Sequence, residues 1–241
     1  NLRVDLDIDN LNYHLYKLKD FHGRFRIQPN HYLYVDTLSL KAASGSIAMS
    51  GYFNGSDPSL IYFSPKMRFD KVDLDQLMVK FENFGQDHLV SENLHGTLSG
   101  DLWGKIHLHA DMVPIIDDSE IHIDFSVVSG KLENYGPMEY LSEYFADKNV
   151  AKIIFDTLQN HIDLNKRVLN IPNMPINTSL GFVQLSGTQG LDYTYEYYLK
   201  VPWKMVSKAG ASKLFKKKQG EEVDPDQEDG IVYADEGKKI R

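Results

Sequence analysis

His107 and His109 stand two residues apart in "KIHLHAD", Asp111 follows two further on, and His95 and His122 lie near enough in sequence to reach the same face from neighbouring strands. Residues two apart on a strand point the same way, so this spacing could present two imidazoles and a carboxylate to one zinc ion. The competing reading is a polar, wetted strand face, on which alternation alone places them. No cysteine occurs in the 241 residues to back the cluster, so no metal is expected. The carboxylate pairs have equally plain places: Asp117 and Asp118 in a turn, Glu221 and Glu222 in a charged linker, Asp5 and Asp7 on a solvated strand. General acid/base catalysis needs two carboxylates converging on a pocket, which none of these spacings implies. Nucleophile-elbow, phosphate-loop, dinucleotide and calcium-loop patterns are absent. The expectation is a protein that is not an enzyme and uses no cofactor. Tyr193, Tyr195 and Tyr197 could stack under a sugar, but Leu199 and Val201 continue their face, and packing inside the sheet is the favoured reading.

The histidines sit in a longer pattern that must position them. From Leu94 to Ala110, in "LHGTLSGDLWGKIHLHAD", every even position is apolar or glycine and every odd one is polar or aromatic. Strict period two predicts a strand far longer than the usual five or six residues, its apolar side thinned by Gly96, Gly100 and Gly104. Similar alternation recurs at Leu33 and Val35, Leu38 and Leu40, Met67 and Phe69, Ile121 to Val127, and Val183 and Leu185, with turn clusters such as "FNGSDPS" between runs. The fold class is therefore mainly β: an elongated, twisted antiparallel sheet curled into a trough, with two or three short helices. One helix is expected over about 73–84, where Asp73 and Gln76 take capping-box positions ahead of Leu77, Met78 and Phe81. A second is expected in "GPMEYLSEYFAD", and a basic one from Lys204 to Lys218.

The net charge of −8 lies wholly on residues 1–206, because residues 207–241 hold eight Lys and Arg against eight Asp and Glu. An acidic body argues against a nucleic-acid partner. No run of about 18 apolar residues occurs. Asn1 already stands inside an alternating run, as though a strand continued from a longer chain, so a targeting or anchoring segment is expected upstream. The division expected is 1–93 as a β-meander with its helix, 94–206 as a second region, and 207–241 as a basic helix and charged tail contributing nothing to folding of the body from Gln219 onward.

Within 94–206, "LHGTLSGDL", "IDFSVVSGKLENYGPMEYLSEYF" and "KIIFDTLQNHIDLNKRVLNIPNMPINTSLGFVQLSGTQGLDYTYEYYLKVPWKMV" resemble, in their order, the C-terminal region of the AsmA-like family of Gram-negative envelope proteins. Residues 1–93 agree with that family in texture only, and the charged tail departs from its pattern. The resemblance implies a periplasmic β-groove, anchored in the inner membrane by an upstream helix, that conducts phospholipid between membranes in support of outer-membrane biogenesis. It carries no catalytic residues. On this reading acyl chains are the partner, together with the inner and outer membrane surfaces or envelope proteins. The groove is lined by Leu94, Leu98, Leu102, Ile106, Leu108, Ile121, Ile123, Phe125 and Val127. The glycines between them either make room for a lipid tail and let the sheet bend, or let a helix pack closely. The alternative function is an assembly module whose edge strand pairs with an envelope protein.

Overall fold

Alternation in the sequence becomes one continuous ladder. The computed structural model describes residues 1–13, 16–80, 91–135, 150–190, 194–202, 206 and 231–236. Its strands are β1 (Leu2–Tyr13), β2 (Tyr16–Ile27), β3 (Tyr32–Ala42), β4 (Gly45–Asn54), β5 (Ile61–Asp73), β6 (Leu94–Leu108), β7 (Pro114–Glu133), β8 (Lys152–Asn165), β9 (Val168–Thr178), β10 (Gly181–Gly190), β11 (Tyr195–Val201) and β12 (Ile231–Glu236). They form one open antiparallel sheet in chain order, as a mainly β, curled trough requires. Each strand makes substantial contact only with its sequence neighbours, so among the described residues no second sheet covers either face. The ladder crosses the expected boundary at 93/94 without a break, because β5 pairs with β6.

Breaks in the alternation keep the apolar residues on one side as the sheet bends. In β3 the apolar phase steps from Val35 to Leu38, in β5 from Phe69 to Val72, and in β9 from Ile171 to Met174, each beside a shift of register. An extra residue in one strand of a pair bends that strand and increases its twist. At the β5 bulge Lys71 adopts φ 52°, and its N–H donates to Ser99 Oγ at 3.0 Å. In β7 the interruption near Pro114–Ser119 is sealed by Ser119, 1% exposed, whose hydroxyl accepts from the His107 N–H (3.0 Å) and donates to the Ile115 carbonyl (2.6 Å). Asp36 occupies the β3 bulge, and both its oxygens accept from Arg26, each at 2.6 Å.

The described helix, α1 (Leu74–Lys80), begins where the capping pattern places it. Asp73 Oδ1 accepts the Gln76 N–H at 2.8 Å. The reciprocal half of the box is not made: Gln76 donates its amide to Ser44 Oγ, and the Asp73 N–H donates to the Ala43 carbonyl. The cap thus ties α1 to the β3–β4 turn. Leu74 and Leu77 then bury against Ala43, Ile47, Val72, Val127 and Phe155. A second buried patch joins Val150, Ile153, Leu180, Val183 and Val201. Phe81 and the helices expected in 136–147 and 204–218 lie outside the described residues, apart from Val206.

Within the tail, one stretch is described. Ile231–Glu236 pairs antiparallel with β11, setting Val201 opposite Ile231 and Leu199 opposite Tyr233. This stretch is the last strand of the sheet, β12.

The Arg26 guanidinium holds the Asp36 carboxyl below the usual carboxylate range. A lowered folded pKa contributes stability that is present above the unfolded value and lost as pH falls through the folded one. Asp36→Asn is therefore expected to lower the melting temperature at pH 7, with the gap to wild type closing as pH falls below about 4. Paired thermal melts across that range check both the loss and its pH dependence.

Candidate functional site

The nine residues expected in the groove share one face, because each strand contributes every second residue and the registers align them. One row reads Leu38, Met49, Met67, Leu102, Ile123 and Ile162 on six adjacent strands, each opposite the next. A second row on this face, four residues along β6, reads Leu2, Ile27, Leu33, Phe53, Phe63 and Ile106, with the two Phe rings stacked at 4.1 Å. Leu98 stands opposite Val127, Gly100 opposite Phe125 and Gly104 opposite Ile121.

Exposure divides the nine. Leu102, Ile106, Ile121 and Ile123 are half-buried along the middle of the trough. Leu94, Leu98 and Phe125 are half-buried too, but pack against the patch under α1, in which Val127 is 2% exposed. Leu108 is buried, at the far end of β6, opposite Ile61 and Pro114. Among the described residues α1 is the helix on this face, and it touches β5 and β6. Tyr197 continues the face opposite Gly187 and donates its hydroxyl to Gln189 at 2.5 Å, as expected of a residue packed within the sheet. Tyr193 lies outside the described residues.

The glycines have a cause that separates the two expectations. A Cβ on Gly104 would lie 2.1 Å from the Glu120 carbonyl oxygen, and one on Gly100 2.3 Å from that of Asp124. The nearest atoms are those of the neighbouring strand, not of a helix. Close strand approach and bending therefore account for these glycines.

The opposite face is polar and aromatic. Tyr32, Tyr34 and Tyr52 stack at 5.9 to 6.0 Å, Tyr62 meets Tyr52 edge-on, and Lys105 Nζ sits 4.2 Å above the Tyr62 ring. The histidine cluster expected around His107 is dispersed. His107 packs its ring on Tyr62, and His109 is exposed in a turn where Asp111 accepts the Val113 N–H. His95 binds Asp75 of α1 through Nδ1, with Nε2 3.6 Å from Glu133.

His122 instead joins a group that the sequence reading passed over. His122 Nδ1 lies 2.5 Å from Asp163 Oδ1, His161 Nε2 lies 2.9 Å from the same oxygen, and His161 Nδ1 lies 2.7 Å from Asp124 Oδ1. The Asp124 carboxylate raises the His161 pKa, and hydrogen bonding from His122 lowers that of Asp163. Trp103 stacks on the His122 ring at 5.4 Å and lies tilted against that of His161 at 5.8 Å. A signal was present: the tripeptide His-Ile-Asp occurs twice, at 122–124 and 161–163. Antiparallel pairing centred on Ile123 and Ile162 sets each histidine opposite the other tripeptide's aspartate.

Comparison with protein-family models, curated proteins and solved structures returns no match.

If β7 must approach β6 this closely, Gly104→Val is expected to destabilise the protein by about 1–3 kcal/mol through overpacking. Urea denaturation checks this. An unchanged midpoint would show that the strands separate freely at that point.

Proposed function

We propose that this chain is a periplasmic lipid-handling segment of an AsmA-like envelope protein, held at the inner membrane through a segment outside this sequence. It binds phospholipid acyl chains on its apolar face and passes them between membranes without chemistry. The supporting observation is the apolar face itself: its rows cross strand after strand, and Leu102, Ile106, Ile121 and Ile123 along its middle are only partly buried, with no second sheet over them among the described residues. A contiguous apolar face that no second layer covers is where an apolar partner would sit. A lipid tail suits it in shape, since a flexible hydrocarbon needs no directional partner and follows a curved surface. About ten methylenes buried at ~0.8 kcal/mol each contribute roughly 8 kcal/mol before the cost of association. That is strong enough to hold a tail and weak enough to let it move on.

A second reading, strand addition to an envelope protein, is favoured by one feature: β1 is an edge strand, with a neighbour on one side only in the described sheet. On that reading the trough carries no lipid.

The test is a pair of substitutions at partly buried positions of the trough, with a fully buried control. Leu102→Asp and Ile123→Asp place a carboxylate where tails pass yet water can reach. Both are expected to stay folded and to lose the phospholipid that mass spectrometry finds in organic extracts of wild type. Val127→Asp, beneath α1, buries an unpaired charge and is expected to unfold the protein. Wild type free of lipid, with both trough variants unfolded, overturns the conduit reading.

A further inference from the structure

We propose that His122, His161 and Asp163 form a binding site for a divalent transition metal of the zinc class on the polar face of the sheet, independent of the lipid trough. Among the described residues these three form the group whose ligand atoms all lie within 4.8 Å of one another. Two imidazole nitrogens and a carboxylate oxygen are a donor set that zinc accepts, with water completing a tetrahedron.

The ring nitrogens of both histidines are all directed at carboxylates. Four imidazole nitrogens in this group face carboxylate oxygens: His122 Nδ1 and His161 Nε2 face Asp163, His161 Nδ1 faces Asp124, and His122 Nε2 faces Glu120 at 3.1 Å. His122 Nδ1 and His161 Nε2 converge on one oxygen of Asp163, so a cation placed among these three atoms meets a lone pair from each. Each remaining N–H then donates outward, from His122 Nε2 to Glu120 and from His161 Nδ1 to Asp124. Carboxylates behind ligating histidines in this way fix the ring and its tautomer.

The scaffold suits the task. All five residues project from adjacent, paired strands, with Trp103 stacked on His122 and tilted against His161. Tetrahedral zinc with arms of about 2.0–2.1 Å separates its ligand atoms by about 3.3 Å. The present separations of 2.5 and 2.9 Å from Asp163 therefore need to open by less than 1 Å. The rings are roughly a quarter to two-fifths exposed, at 27% and 38%, which leaves a path for the ion and room for a water ligand. This differs from the sequence-based expectation of no metal because strand pairing joins residues 39 positions apart, which spacing along one strand cannot show.

The test is a zinc titration of the full chain after chelator treatment, followed by calorimetry and by competition with a chromogenic chelator. Wild type is expected to bind one zinc per chain saturably. His122→Ala and His161→Ala are expected to weaken binding at least tenfold. Asp124→Asn, which alters no ligand, is expected to weaken it roughly tenfold by loosening His161. His107→Ala, on the same face, is expected to leave it unchanged, and circular dichroism confirms that each variant is folded. The proposal is overturned if folded wild type shows no saturable zinc binding, or if His161→Ala binds zinc as tightly as wild type. It is equally overturned if nitrogen chemical shifts show both imidazoles doubly protonated at neutral pH with zinc present.

Discussion

A sheet one layer thick cannot bury its own apolar face, and the rest of this structure answers to that constraint. In a sandwich, two sheets cover each other and short strands suffice. Here each strand leans on its sequence neighbours, and cohesion comes from the ladder and from side chains meeting across it. The strands are accordingly long, reaching 20 residues in β7. Where the face is sealed, a local device does it: α1, docked through Asp73 and Gln76, closes the patch around Val72 and Val127.

Bending a sheet this long without losing its sidedness requires residues that break the strict alternation. The bulges at Asp36 and Lys71 each insert a residue and restore the apolar phase afterward, and side chains from neighbouring strands hold them through Arg26 and Ser99. Gly100 and Gly104 act differently, since β7 comes so near β6 that a Cβ would meet a carbonyl oxygen. Curvature is thus set residue by residue, by insertion on some strands and by close approach on others.

The two faces then carry different physics. On one, rows such as Met67, Leu102 and Ile123 offer a non-directional surface fit for hydrocarbon. On the other, stacked tyrosines and the histidine–carboxylate group place directional contacts at fixed separations across strands. Regular strand spacing serves both, since it makes the apolar rows continuous and brings polar partners into hydrogen-bonding reach.

The sequence alone determined the fold class and the sidedness of the sheet, because period two is a property of neighbouring residues and survives whatever the strands pair with. It identified which residues of β6 and β7 share the apolar face and where α1 begins, both being matters of local spacing. Tertiary structure decided what depends on register. It split the expected histidine cluster, sending His95 to Asp75, His107 to Tyr62 and His109 to a turn. It drew Ile231–Glu236 into the sheet and gave the glycines their reason in strand–strand approach. It also brought together two His-Ile-Asp tripeptides whose repetition is visible in the sequence but whose meeting is not. Their encounter depends on the pairing of β7 with β8 centred on Ile123 and Ile162, and a one-residue slip would turn one tripeptide's side chains to the opposite face.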